Sequence, residues 1–322
     1  LVPYDRRLPS LDELRSGLRL PEGVIPRKTD LNYAIVISSL LETARQLDNP
    51  GGGINRFLFI GDTRLLDGTS FDNICKSAGW PGIAFIGSEN QSESSVEIAR
   101  TESGNLLFLA NKWSMLPEFD HFCREMGFVV DETTAVIIDI DKTAIGARGR
   151  NSQVIDRVRV EAVKQTVSGL LQEKFDLQFF QEAYGRLNEP EFHPFTTDNQ
   201  DYLAYVCLIL GTGIFSLEDV VKRVRSGSLK TFDEFIDEVN NQCDELPGEL
   251  EEIHNDIYTN VKSGDPTPFK EFRRKEYLET IRRMGQFDDG QPVKKLMSEE
   301  IVITQEVLSA GESWINRGAL IF

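Results

Sequence analysis

Histidine and cysteine are scarce in this chain, three of one and four of the other among 322 residues. Cys75, Cys123, Cys207 and Cys243 stand far apart without a CxxC pair, and the histidines are scattered too, so the sequence offers no zinc-type ligand set. Dispersed thiols of this kind fit a reducing compartment, and the expectation is a cytoplasmic protein. Long apolar runs are also missing. Nothing approaches the roughly 20 residues of a membrane span, and we expect no signal peptide at the start. Positive charge is in deficit: 35 Lys and Arg face 52 Asp and Glu, a net charge of -17. A general nucleic-acid binder or a protein seated on anionic membranes needs a basic surface, so neither partner is expected. A small anionic substrate needs only a local positive pocket and stays open.

What is present is enough apolar material, 40% of the residues, to bury a sizeable core. Residues 1–27 read as an irregular arm with one short helix near "SLDELRSGL". The apolar positions of 28–47 (Leu31, Ala34, Ile35, Ile37, Leu40, Leu41, Ala44, Leu47) have helical spacing, with Thr29 or Asp30 as cap. "RFLFIGD", "GIAFIGS" and "NLLFLAN" read as buried strands, and "LPEFDHFCREMG" as a helix closed by Gly127. Strands alternating with helices across Gly-containing turns imply an α/β fold with a mostly parallel sheet.

One stretch, "TTAVIIDIDKTAIGARGR" at 133–150, departs from ordinary strand chemistry. Four apolar residues, Ala135 to Ile138, run into two aspartates separated by one isoleucine. Two carboxylates at the mouth of a core are costly unless a cation or a proton sits between them. Open parallel sheets place ligands at the carboxyl ends of their strands. A magnesium ion held by carboxylates and phosphate oxygens would relieve the repulsion. Asp139 would remain as a nucleophile for a phosphoryl group, with Asp141 to protonate the leaving alkoxide and then activate water. The plainer alternative is a strand ending in an Asx-turn that caps the next helix.

"VIIDIDKTAIG" resembles the first motif of the haloacid dehalogenase-like (HAD) superfamily, an apolar strand followed by Asp-x-Asp-x-Thr. The resemblance implies a Rossmann-like sheet, with Asp139 as nucleophile and magnesium ligand. Asp141 would be the general acid/base, binding the metal through its main-chain carbonyl, with Thr143 in the third place. "RFLFIGDTRLLDGTSF" resembles the family's fourth motif, supplying Asp62 and Asp67 as further metal carboxylates, Asp62 the more direct. Lys28, ahead of the helix preceding that strand, stands where the third motif places its lysine; Lys112 in "LANKW" competes with it. Arg148 in "ARGR" is near enough to the first motif to reach a substrate, although a solvated loop is as good a reading.

The order is unusual, because the third- and fourth-motif candidates precede the first. Circular permutation reconciles it; the alternative is a separate N-terminal α/β region in which "GDTRLLDG" is only a turn. The second motif, a Ser or Thr after the next strand, would belong directly after "RGALIF", where the sequence stops.

From about 155 to 285 only helical stretches are legible, and the resemblance implies an all-helical cap inserted there. The expected layout is an arm over 1–27, α/β core over 28–150, helical cap over 151–290, and a return to the core over 291–322. That return is expected as one helix, "SEEIVITQEVLSAGESWINRG", and a final strand "ALIF". Lys270, Arg273, Arg274 and Lys275 form a basic cluster, which would hold an anion or pair with neighbouring acids. The expected activity is magnesium-dependent hydrolysis of a small phosphorylated metabolite. A phosphotransferase, or a non-catalytic binding or regulatory protein on the same fold, is the alternative.

Overall fold

The residues before the sheet prepare one lysine. Helix α1, Leu11–Leu18, opens with a reciprocal Ser10–Glu13 capping box. Helix α2, Leu31–Asp48, buries Ala34, Leu41 and Ala44 at helical spacing. Asp30 stands at its N-cap, but its carboxylate accepts from Arg27 N (2.7 Å) instead of capping the helix. With Asp30 N donating to Arg27 O (2.8 Å), this closes a tight turn around Lys28. The computed structural model describes residues 5–288 and 290–322. The first four positions of the expected arm, and Asp289 in the expected helical insertion, lie outside the described residues.

The chain then alternates. Strand β1 is Arg56–Gly61, α3 Leu66–Ala78, β2 Gly82–Gly87, β3 Val96–Arg100, β4 Leu106–Ala110, α4 Leu116–Glu125 and β5 Thr134–Ile138. The sheet has six strands in the order β3-β4-β2-β1-β5-β6, all parallel except β3, so the fold is mixed α/β with a mostly parallel sheet. Period-two alternation divides its side chains between two cores, as expected of a parallel sheet covered on both faces. Leu58, Ile60 and Val136 pack with Trp113, Phe119 and Trp314, while Phe57, Phe59 and Ala135 pack with Leu41 and Phe71. Strand β3 is not legible in the sequence. It is an antiparallel edge strand on which nearly every residue is exposed, so no apolar run marks it.

Helices follow without a strand among the described residues from 153 to 282: α5 Gln153–Leu171, α6 Leu177–Leu187, α7 His193–Thr196, α8 Gln200–Thr212, α9 Leu217–Ser226, α10 Phe232–Asn240, α11 Gly248–Lys262 and α12 Lys270–Arg282. Two of these, α9 and α11, are not among the helical stretches read from the sequence, although both open with acidic first turns and bury one apolar face. Helix α8 is the axis of this body, buried continuously from Asp201 to Leu210. The basic cluster pairs with neighbouring acids: Lys270 with Asp265 (2.5 Å), Lys275 with Glu271 (3.3 Å), and Arg273 with Glu276 (2.6 Å) and Asp201. By contact the chain divides into two compact units, one of Asp156–Arg283 with Gly23–Ile25, the other of the chain up to Glu22, Pro26–Ile155 and Met284–Phe322.

Helix α13, Val293–Glu299, and α14, Gln305–Ile315, lead to the short strand β6, Leu320–Ile321, parallel to β5. The single helix expected over 298–318 is corrected here. Residues 301–304 are "IVIT", a β-branched run that resists helix, and Ile303 forms an isolated bridge with Ile145. Gly146 N donates to Val302 O (2.9 Å) and Thr304 N to Ala144 O (2.8 Å), so the segment braces the loop after β5.

Candidate functional site

Strands β1 and β5 are hydrogen-bonded neighbours in register, with Ile60 opposite Ile138. The pairing brings Asp62 and Asp139 to adjoining strand ends. Asp139 N donates to Ile60 O (2.9 Å), continuing the ladder one residue past β5. Behind Asp62 the chain turns into α3, and Asp67 closes that turn. Its Oδ2 accepts from Asp62 N (2.8 Å), Thr63 N (2.8 Å) and Thr63 Oγ1 (2.9 Å). Gly61 permits this, since a Cβ there would stand 2.5 Å from Asp67 Oδ2. The glycine of the Gly-Asp pair is therefore a steric requirement of the turn.

Three carboxylates converge. One oxygen each from Asp62, Asp67 and Asp139 lies within 4.8 Å of the others, close to the span of about 4.2 Å that two oxygens on one magnesium can bridge, so small side-chain rotations suffice for a shared cation. Two cationic side chains offset part of their charge. Lys28 Nζ lies 2.5 Å from Asp67 Oδ1 and 2.5 Å from Asp139 Oδ1, while Arg148 Nε donates to Asp62 Oδ2. Lys112 does not join them. It pairs with Glu89 at 3.1 Å, so of the two candidate lysines it is Lys28 that reaches the carboxylates.

Burial sets the electrostatics. It pushes the Asp62 carboxyl up to about 6 against the pull of Arg148. It also raises Asp139, partly opposed by Lys28. Asp67 feels burial too, but the Lys28 charge and the hydrogen bonds at the turn outweigh it and hold the carboxyl below its usual range. For Lys28, burial is outweighed by Asp67 and Asp139, and its ammonium is favoured. Raised and lowered carboxyls side by side are a feature of reactive sites, although structural ion pairs produce it too.

Asp141 is not one of the three converging carboxylates. The strand ends at Ile138, Ile140 lies in a turn and is exposed, and Asp141 bridges Ile145. The strand alternation that would have sent both aspartates the same way therefore stops before Asp141. Thr143 is fully buried. Its carbonyl accepts from Thr304 Oγ1 (2.5 Å) and its own hydroxyl makes no hydrogen bond. A hydroxyl so enclosed does not face a substrate arriving from solvent; Thr143 braces the loop.

Sequence reasoning missed the framework behind Arg148. Its N donates to Lys142 O (2.8 Å), and its carbonyl accepts from Glu89 N (2.9 Å) and Trp113 Nε1 (3.2 Å). Gly149, at φ +77°, passes so close to Glu89 that a Cβ would lie 1.9 Å from Glu89 O. Arg150 next to it pairs with Glu89 and Glu306, both at 2.9 Å. The glycine within "ARGR" is the one signal in the chain of this close approach. Searches of protein-family models, curated proteins and solved structures found no match to this chain. The site therefore has to be read from its own chemistry: an all-oxygen donor set at the carboxyl ends of parallel strands, of the kind hard cations take.

Proposed function

We propose that the protein is a magnesium-dependent phosphomonoester hydrolase of HAD-like type, working through an aspartyl-phosphate on Asp139. The observation that carries the reading is the meeting of Asp62, Asp67 and Asp139 beside the Lys28 ammonium. We read the sheet as Rossmann-like and its order of motifs as permuted. The helical unit is read as a cap insertion because it follows directly, in the chain, the loop that carries Asp139. Four free cysteines favour a reducing compartment, and we assign the protein to the cytoplasm.

Asp62 and Asp139 would hold the metal, which when bound supplies positive charge against the phosphoryl oxygens. Asp67, saturated on Oδ2 by the turn, serves chiefly to anchor Lys28 and fix Asp62. An Asp139 carboxylate oxygen attacks phosphorus as the bond to the alcohol oxygen breaks, and Asp141 gives that oxygen its proton. Asp141, now ionised, takes a proton from water, whose oxygen attacks phosphorus. The bond to Asp139 breaks, and inorganic phosphate leaves. Lys28 keeps the nucleophile ionised and offsets charge arriving with the phosphoryl group.

The test is a phosphatase screen on wild type and Asp139→Asn with magnesium and with chelator. Hydrolysis that needs both the metal and Asp139 is the expected result. No magnesium-dependent release of phosphate from any phosphomonoester would overturn the proposal.

A further inference from the structure

Beside the three carboxylates lies a cavity of about 440 Å³, within the size range of small-metabolite sites. It opens at the carboxyl ends of β1, β2 and β4, where Asp62, Ser88 and Asn111 follow their strands, and Arg148 forms another wall. Among the described residues no aromatic ring lines it, and these residues offer no stacking platform for a nucleobase. The Asn111 amide is already engaged, accepting from Ser95 N (2.7 Å) and donating to Ser92 Oγ and Glu93 O, both at 2.8 Å. Of its charged walls, Arg64 has Glu97 as partner at 3.5 Å. Arg148 is different, because its partner is Asp62, one of the carboxylates of the candidate metal site.

Arg148 gives Asp62 its Nε–H on Oδ2, and a cation on the same carboxylate draws off the negative charge that holds the guanidinium there. The Arg148 backbone is pinned by Lys142, Glu89 and Trp113, so only its side chain can respond. With Asp62 committed to a metal, the guanidinium on the cavity wall is held less tightly by its carboxylate and is available to an anion in the cavity. A guanidinium in that position recognises a carboxylate or phosphate through paired N–H donors.

We propose that the substrate is a phosphomonoester whose leaving group carries a second anionic group, a carboxylate or another phosphate, bound in this cavity by Arg148. The inference rests on the hydrolase reading and adds the substrate class to it. It also makes Arg148 a side chain with two alternating partners, Asp62 without the metal and substrate with it.

The test compares three esters of one size class: ethylene glycol monophosphate, phosphoglycolate and ethylene glycol bisphosphate. Wild type with magnesium should favour at least one of the latter two over the neutral ester in kcat/KM by on the order of tenfold, what one charge-assisted hydrogen bond supplies. Which of the two is favoured distinguishes carboxylate from phosphate. Arg148→Ala should bring the ratio near one, and Arg148→Lys should keep part of it. A separate readout is magnesium binding by calorimetry without substrate. Arg148→Ala should bind the metal more tightly than wild type, whereas Arg56→Ala, whose arginine pairs with Asp131 (3.0 Å), should not. Hydrolysis with no preference for the anionic esters, or a preference that survives Arg148→Ala, overturns this inference and leaves the hydrolase standing. Failure to hydrolyse any phosphomonoester removes both.

Discussion

The ammonium of Lys28 lies 2.5 Å from Oδ1 of Asp139, 111 positions away in the chain. Lys28 also holds Asp67, so one cation joins the end of β5 to the first turn of α3. Replacing it with methionine leaves Asp67 and Asp139 without their cation beside Asp62. With the side chain one third exposed, the cost of breaking such a pair is discounted to about 1–3 kcal/mol. Lys28→Met should melt below wild type in chelator and gain more than wild type from magnesium. Equal melting in chelator would show that the pairs contribute nothing.

Asp139→Asn should abolish turnover while holding stability within about 1 kcal/mol of wild type, because burial already disfavours the Asp139 carboxylate. Asp141→Asn should also cripple turnover but leave most magnesium binding, since the Asp141 carboxylate is not part of the converging set. Calorimetric metal titrations of the two variants separate the roles. A loss of metal affinity in Asp141→Asn as large as that in Asp139→Asn would contradict the assignment.

Two glycines should respond oppositely to alanine. At Gly149 a Cβ meets backbone oxygen at 1.9 Å with φ at +77°, so Gly149→Ala should cost about 2–4 kcal/mol and shift Arg148. At Gly185, inside α6, an alanine methyl would meet no atom within 4 Å beyond its own helix backbone, and Gly185→Ala should stabilise by about 0.5–1 kcal/mol. Urea denaturation of the two variants checks both signs.

Asp201, fully buried in the helical unit, accepts from Phe269 N (3.0 Å) and pairs with Arg273. Burial pushes its carboxyl up to about 6, against a usual 3.8. The folded state therefore holds the proton more tightly than the unfolded chain does. Its contribution to stability is fully present below about pH 4 and is lost as pH rises through about 6. Relative to Asp201→Asn, wild type should lose about 3 kcal/mol across that window. Parallel stability profiles for the two proteins would show no such divergence if Asp201 stays ionised throughout.

The parallel strands are legible because each is a short apolar run between turn residues, and Asp62 and Asp139 follow from where those runs end. Lys28 is harder to place. A lysine near a helix start is usually solvated, and only the turn made by Arg27 and Asp30, with the β1–β5 pairing, brings it to the carboxylates. Strand β3 is invisible because its residues face water and pairing to β4 alone defines it. The return segment misleads through Glu299 and Glu300, which resemble a helical first turn, while the β-branched residues after them pair with the loop at Ala144 and Gly146. Arg148's setting depends on main-chain hydrogen bonds to residues dozens of positions away, which no local pattern encodes.

The β5–β6 pairing has a consequence for how the chain acquires its shape. Ala135 pairs with Leu320 and Val136 with Ile321, so the whole helical unit is synthesised while one side of β5 still lacks its neighbour. Contacts between such distant positions require large loops to close, which makes their formation slow. During that interval β5 presents unpaired peptide groups, a template for pairing with another chain. A nascent molecule is thus most prone to self-association after its helices have formed and before residues 320–322 reach the sheet.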